Sequence, residues 1–454
     1  VLNTMQLSQA AIVVPLAQRE QVLLVQPLKG QVALFSGAHA RALAELEPGA
    51  PVPSSLPLAE LEESGFAVSS PEADRQLLSE AWLEYLEELE KTPTQLIVVP
   101  SFGCNLKCTY CYQELFEPRA RLIEPEKIDA LFPYVDRFHA GEMPRPYLTL
   151  FGGEPLVDTE SHRERVARFL KGAQERAMTV AVVTNGYDLE AFVPLLRQGP
   201  IREVQVTLDG PEAIHDARRP HAGGGGSFER ALRGVEALVA AQIPVNLRVV
   251  ADKENLPHLP ALARLADERG WLSLPESRFK TQVGRNYELF GCASRQMRDQ
   301  LFDRIELWSR YLELAERDPV LARFHKPRLH GIRHLAETGE FPAPNFDACP
   351  AAKKEWAFSP DGGLYGCTAT VGNPRYRLGS YAPEIARDEK AIALWSGRNV
   401  FTISECTTCA VASVCGGGCG AIAANRTGTP RSPDCRPVRE IFALGASYYG
   451  LGKD

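Results

Sequence analysis

The chain of 454 residues contains no apolar run approaching the ~18 residues that a membrane helix requires. Its opening segment, VLNTMQLSQAAIVVPLAQREQ, has no basic n-region, and its short apolar stretch is soon interrupted by charge. No export signal is therefore expected, and the expected compartment is the cytoplasm. There is no Lys/Arg-rich block, and the formal net charge is −7, which argues against nucleic acid and against an anionic membrane as partners. Repeats of solenoid period and low-complexity tracts are absent as well. What remains is ordinary globular composition, 44% hydrophobic and 24% charged, with a length that suits about two to four domains.

Cysteine is the exception. There are 11, and their positions are clustered: 104, 108 and 111; then 349 and 367; then 406, 409, 415, 419 and 435; only Cys292 stands apart. Without an export signal, such clusters read as metal ligands or catalytic thiols before disulfides.

Hydrophobic periodicity divides the chain into segments. Residues 1–70 hold three strand-like runs, AIVVPL, QVLLVQPL and QVALF, followed by a helix around His39 to Leu46, which suits a small winged-helix-like module. Residues 71–94 read as an acidic linker helix. Over 95–275 the runs QLIVVP, PYLTLF, MTVAVVT, REVQVTL, PVNLRVV and WLSLP alternate with helical stretches. Six β/α repeats predict an α/β fold whose parallel sheet forms an open, partial (β/α)6 TIM-type barrel with its chemistry on the loops after the strands. Residues 276–345 bridge to a Gly- and Cys-rich segment, 346–437, of the kind that bound metal holds together, and 438–454 close as a helix.

The motifs fall at the strand ends. Cys104, Cys108 and Cys111 form C-x3-C-x2-C after the first strand. A structural zinc site usually takes four protein ligands, and this loop offers three, which suits a [4Fe-4S] cluster with one open iron. The triplet, with an aromatic residue, Tyr110, before its last cysteine, resembles the signature of the radical S-adenosylmethionine (SAM) superfamily. The resemblance implies that the open iron chelates SAM, that an electron from a reduced flavodoxin or ferredoxin cleaves SAM to a 5′-deoxyadenosyl radical, and that Tyr110 packs near the adenine. It also implies that Gly152, Gly153, Glu154 and Pro155, the GGEP after the second strand, bind the methionyl amine. A GGEP segment alone would be a tight turn; one strand after the triplet, its glycines let backbone approach a ligand. Thr184, Asn185 and Gly186 after the third strand, and Thr207 and Asp209 of TLDG after the fourth, resemble the ribose and carboxylate contact regions. Arg219 completes an HDxxR pattern with His215 and Asp216. Gly223 to Gly226 lack the GK[ST] of a phosphate loop and read as a connection, with Ser227 capping the next helix.

Cys349, Gly362, Cys367, Cys406, Cys409, Cys415, Cys419 and Cys435 resemble the seven-cysteine SPASM pattern, although C-x2-C pairs by themselves also suit zinc. The resemblance implies two auxiliary clusters, hence three [4Fe-4S] clusters in all. Cys406, Cys409, Cys415 and Cys435 would hold one, and Cys349, Cys367 and Cys419 the other. The last lacks a fourth protein thiolate; a substrate thiolate or open site, water, Glu355, Asp347 or Cys292 are the candidates.

SPASM enzymes mostly modify ribosomally made peptides. In sulfatase-maturing relatives an aspartate base follows the second SPASM cysteine, where this chain has Thr368, and an eighth cysteine is present that this chain lacks. The expected activity is therefore an intramolecular crosslink, thioether or carbon–carbon, in a precursor peptide whose leader pairs with an edge strand of the N-terminal module. An auxiliary cluster would accept the surplus electron. Formylglycine synthesis, a small-molecule or cofactor-precursor substrate, and a non-enzymatic electron-transfer or zinc-binding scaffold are the alternatives.

Overall fold

A computed structural model describes residues 5–16, 20–115, 121–286 and 299–451. The chain divides into two compact units. One combines Val1–Lys91, Lys326–Cys349 and Gly397–Asp454; the other combines Thr92–His325 with Pro350–Ser396. Cys292 lies outside the described residues.

In the first unit, strands Ile12–Leu16, Gln21–Gln26 and Gln31–Ser36 form an antiparallel three-stranded sheet with Gln21–Gln26 in the middle. Alternating apolar residues of these strands, Val13, Val22 and Leu24, pack with Ala40 and Leu43 of helix Gly37–Ala44 and with Phe66. The helix expected around His39 thus begins earlier, directly after the strand. Helix Pro71–Glu90 starts at Ser70, whose hydroxyl accepts from Ala73 N–H, with proline at the first turn. Leu77, Leu78, Ala81, Trp82 and Tyr85 repeat at helical spacing and pack with Phe346, Val400, Ile403 and Cys406. Trp82 stands edge-on to Phe346 and Phe401 with ring centroids 5.5 and 5.1 Å away.

In the second unit six parallel strands, Gln95–Val98, Tyr147–Leu150, Val180–Thr184, Ile201–Thr207, Val245–Ala251 and Phe279–Arg285, pair in sequence order. The sixth strand corrects the sequence expectation. WLSLP is a short 3-10 turn over Trp271–Ser273, and Pro275 leads through a turn closed by Phe279 N–H into FKTQVGR. Trp271 is buried against Phe279 instead of pairing in the sheet. A second difference lies at the other edge, where Glu355–Phe358 pairs parallel with Gln95–Val98 and leads into three short antiparallel strands, making ten in one open sheet.

Strand register gives this sheet two unlike faces. Leu96, Val98, Leu148, Leu150, Val180, Val182, Val204, Val206, Leu247 and Val249 share one face and are fully buried. Helix Phe228–Ala240 packs on this part of the sheet, against the fourth and fifth strands. Parallel strands are usually apolar on both sides. Here the other face is mixed: Ile97 and Ala357 pack in a small apolar cluster with Val99, Phe102 and Tyr365, and Ala181, Val183 and Val250 share the face, but it also carries Glu355, Gln95, Tyr147, Thr149, Glu203, Gln205, Asn246, Arg248, Lys280 and Gln282. So many polar side chains beyond that cluster suit a ligand and water better than a continuous core. No helix among the described residues is long and apolar enough to cross a membrane.

Candidate functional site

The cysteine loop leaves the first strand at Val99 and runs antiparallel beside residues 218–222. Lys107 N–H donates to Pro220 O, Thr109 N–H to Arg218 O, and Ala222 N–H to Asn105 O, each 2.8 to 2.9 Å. All ten described cysteines are free thiols. Cys104 is exposed as a residue, but its sulfur accepts from Leu106 N–H at 3.3 Å and Asn185 Nδ2 at 3.5 Å. Burial of that thiol end, then the nearby Glu154 carboxylate, push it up to about 12. Burial likewise raises Cys108, against the opposing pull of the Arg219 charge. Cys108 feels both Cys104 and Cys111, so the three sulfurs form one electrostatic group. Among the described residues no three His, Cys, Asp or Glu side chains close on a single metal ion. A [4Fe-4S] cube binds each thiolate at a separate iron, so a looser triplet of thiols fits it better than it fits zinc. Thiols held protonated by burial must release protons on metallation.

The GGEP segment packs against this loop. Gly153 N–H donates to Ser101 O and Glu154 N–H to Gly103 O, both at 2.9 Å. A Cβ on Gly153 would lie 2.0 Å from Gly103 O, and one on Gly152, whose φ is +130°, would lie 2.7 Å from Ser101 O. Contact between the two loops by itself already requires both glycines. Gly153→Ala is expected to push the cysteine loop away, cost about 1–3 kcal/mol of stability as an overpacked site and lower the iron bound by Cys104, Cys108 and Cys111, measured by iron analysis beside a urea titration. Unchanged iron would contradict this packing role.

Glu154 is buried, and its carboxylate is fully occupied. Oε1 accepts from Leu156 N–H and Thr184 Oγ1, and Oε2 from Asn185 N–H, at 2.5 to 2.9 Å. Burial raises it to about 7, more than its donors lower it. Glu154 therefore ties the second strand's loop to the third strand's Thr184-Asn185. Asn185 continues the chain, donating to Asn105 Oδ1 at 2.7 Å, and Asn105 donates in turn to Asp188. Pro155 lies buried in the same loop.

Tyr110 carries the network to the fourth strand. Its hydroxyl donates to Asp209 and accepts from Arg219 Nη1, both at 2.5 Å. Asp209 is fully buried, follows Thr207 and Leu208, and also accepts from Val250 N–H. Arg219 is buried, not the surface pair that an arginine after a helix usually makes. Thr207 is buried at the end of its strand. The structure thus brings the triplet, Tyr110, GGEP, Thr184, Asn185, Asp209 and Arg219 into one polar network.

His215 fixes its floor. Asp209 N–H donates to Nδ1, so Nε2 carries the proton, facing Ser227 Oγ, which donates to Arg219 O. Burial first, then Arg219, lower His215 from 6.5 to about 4. Ser227 starts helix Phe228–Ala240 but does not cap it as expected. Asp216 Oδ1 does, accepting from Ser227 and Phe228 N–H, because the serine hydroxyl is spent on Arg219. In the unfolded chain His215 takes up a proton near pH 6.5, whereas in the fold it does so near pH 4. Its contribution is whole above about pH 6.5 and is lost as pH falls toward 4. The stability advantage over His215→Asn should therefore shrink across that window by at most about 1.4 kcal/mol per pH unit, read from urea midpoints; a constant difference would contradict a neutral His215.

Sequence reading missed Arg218, Asp252, Asn255 and Asn286. Arg218 Nη1 lies 2.8 Å from both Asp252 oxygens, Nη2 donates to Val250 O, and Nε lies 3.6 Å from Asp209. Asn255 donates to Asp209 O, and Asn286 to Asp252. The available signal was position, since Asp252 and Asn286 directly follow the fifth and sixth strands.

In the first unit, Cys406 feels Cys415, Cys409 and Cys435, and burial raises it to about 11. Cys415 Sγ also accepts backbone N–H from Gly417 and Arg436. Cys406 thus has three other thiols around it, which suits a four-thiolate cluster. Arg398, fully buried, donates to Gly417 O, Pro430 O and Ser432 O, and its charge lowers Cys406. Cys349 is buried in this unit, its N–H bonded to Asp347, and Cys419 N–H is bonded to Asp434. Cys367 belongs to the other unit, where Thr370 Oγ1 lies 3.6 Å from its sulfur. Glu355 accepts from Thr368 N–H at 3.1 Å and is raised by burial to about 7.

Residues 98–266 match the model of the radical SAM superfamily. Over 338 residues the chain is 25% identical to a serine-type anaerobic sulfatase-maturating enzyme of Klebsiella aerogenes, covering 70% of this chain and 77% of that one. It is 31% identical over 172 residues to an AdoMet-dependent heme synthase of Methanosarcina barkeri, covering 37% and 45%. The chain thus spans about three quarters of the first relative and about half of the second. Among solved structures it resembles anSMEcpe with bound AdoMet, at a TM-score of 0.58 and 17% identity, covering 79% of this chain and 92% of that one. It also resembles Streptococcus suis SuiB bound to precursor peptide SuiA, at 0.53 and 13%, covering 96% and 99%.

Proposed function

We infer that this chain, whose residues 98–266 form a radical SAM domain, is a peptide-modifying enzyme that installs an intramolecular crosslink in a ribosomally made precursor. The observation that carries the reading is the network joining the three-thiol loop to GGEP, Thr184-Asn185, Asp209 and Arg219. When bound, a [4Fe-4S] cluster with SAM supplies a hydrogen-abstracting 5′-deoxyadenosyl radical. Cys104, Cys108 and Cys111 would hold that cluster, with Arg219 balancing charge at Cys108 and Asn185 fixing Cys104. Glu154 holds the second and third loops at one spacing, and Tyr110 ties the cysteine loop to Asp209. The polar sheet face would receive the residue to be modified. In the first unit, Cys406, Cys409, Cys415 and Cys435 would hold one auxiliary cluster.

Peptide as substrate is supported by the edge strand Gln31–Ser36. It has one neighbour in its sheet, and none of its six residues is buried: Gln31, Leu34 and Ser36 are exposed and the other three partly so. An edge with unpaired N–H and C=O groups accepts an extended peptide by strand addition. A groove lined by Lys29, Gln31, Leu77, Glu80, Glu84 and Phe341 opens beside its start. Structural relatives were solved with the SuiA precursor and with the Cp18Cys peptide. The sulfatase-maturating relatives favour a second reading, oxidation of a serine or cysteine to formylglycine. Glu355, a buried carboxyl beside Thr368, is compatible with either reading.

The test is mass spectrometry of the anaerobically reconstituted enzyme with SAM, dithionite and a cysteine-containing peptide encoded beside its gene. Crosslinking predicts loss of two hydrogens, with fragmentation locating a bond between residues. A serine-type sulfatase peptide losing two hydrogens at one side chain, with the neighbouring peptide unchanged, would replace crosslinking with formylglycine synthesis.

A further inference from the structure

On the polar face of the large sheet, Arg248 stands level with Thr207 of the fourth strand and Gln282 of the sixth. Several cations nearby have acidic partners. Lys280, on the same face, pairs with Glu203, and Arg218 and Arg219 pair with Asp209 and Asp252. Arg248 differs. The residue is half-buried, and its guanidinium makes no ion pair or hydrogen bond among the described residues.

Its place is nevertheless defined. A Cβ on Gly284 would lie 2.8 Å from Nη2, 3.2 Å from Cζ and 3.5 Å from Nη1. The guanidinium therefore rests over the bare backbone of Gly284, a seat that any side chain there would disturb. Holding a guanidinium partly out of water without a counter-charge is costly. Its planar fork matches the two oxygens of a carboxylate, and such charge-assisted bidentate pairs are among the stronger polar contacts.

We propose that Arg248, seated on Gly284, is a carboxylate-binding residue of the substrate side of the sheet and takes an acidic group of the bound peptide. This rests on the radical SAM reading, which makes this face the substrate side. The methionyl carboxylate of SAM is the other source of the same chemistry, and binding measurements separate the two without requiring turnover.

The anaerobic holoenzyme saturated with SAM is titrated with acetyl-Ala-Glu-Ala-amide and its Gln counterpart, and separately the SAM-free enzyme with SAM and decarboxylated SAM. A substrate carboxylate predicts that wild type prefers the Glu peptide by roughly ten-fold or more. Arg248→Gln should erase that preference, and Gly284→Ala, which keeps the charge but shifts its seat, should reduce it. If Arg248→Gln instead weakens SAM about ten-fold while leaving decarboxylated SAM unchanged, Arg248 is a carboxylate-binding residue for SAM and its assignment to the peptide is overturned. Iron content equal to wild type shows that each variant is folded around its clusters. Equal binding of both peptides by wild type, together with unchanged SAM affinity in Arg248→Gln, overturns the proposal. Wild-type enzyme that binds by charge yet never cleaves SAM would instead count against the radical SAM reading alone.

Discussion

Replacing Cys108 by alanine is expected to remove about four irons per chain, erase the SAM-dependent change in the reduced electron paramagnetic resonance spectrum, and lower 5′-deoxyadenosine formation by on the order of 10³-fold or more. Cys108 is the middle thiol of the group and the one that feels the Arg219 charge. No other Cys, His, Asp or Glu in the described part of the loop could replace it, since the triplet is bounded by Asn105, Leu106, Lys107, Thr109 and Tyr110. Cys406→Ala should behave differently. It is expected to lose auxiliary-cluster iron while keeping a measurable part of SAM cleavage, because its partners are Cys409, Cys415 and Cys435. Equal loss of SAM cleavage in both variants would count against separate clusters.

The second large effect is expected at Arg218, which no motif singles out. Its side chain is 1% exposed, and it faces Asp252, Asp209 and Glu254. Arg218→Ala would leave the buried Asp252 and Asp209 without their main cation, at a cost of about 3–5 kcal/mol. Arg219 remains near Asp209, 4.0 Å away, but does not reach Asp252 by any ion pair among the described residues. The urea midpoint should therefore fall sharply for Arg218→Ala and hardly move for the exposed Arg233→Ala, where roughly 0.5 kcal/mol or less is expected. Since Asp209 also accepts the Tyr110 hydroxyl, the Arg218 variant should lose SAM affinity along with stability. Stability like that of the Arg233 variant would show that the buried charges find other compensation.

How far the sequence reached depends on the range of each interaction. Cys104, Cys108 and Cys111 were legible because cluster ligation is local, three thiols within eight residues of one loop. GGEP, Thr184-Asn185 and TLDG were legible because parallel α/β sheets collect chemistry at strand ends. Their physical reasons were less so. Gly153 makes room for Gly103, and Glu154 binds Thr184 and Asn185, contacts fixed only when the strands pair. Arg218 and Arg219 are adjacent and alike in sequence, yet one turns to Asp252 and the other to Tyr110. The sixth strand was misplaced because WLSLP is more apolar than FKTQVGR. The latter carries Lys280, Gln282 and Gly284 on the polar face, so its alternation disguises a parallel strand. The strand Glu355–Phe358, lying far along the chain from Gln95–Val98, had no local signal for joining it.

The most direct test of the account is the reduced, anaerobically reconstituted enzyme incubated with SAM, with methionine and 5′-deoxyadenosine measured by mass spectrometry. Both products are expected to form in equal amounts with wild type and to fall to background with Cys104→Ala. A fully iron-loaded wild-type enzyme that leaves SAM intact, or a Cys104→Ala variant that still cleaves it, would contradict the assignment of the triplet and the function built upon it.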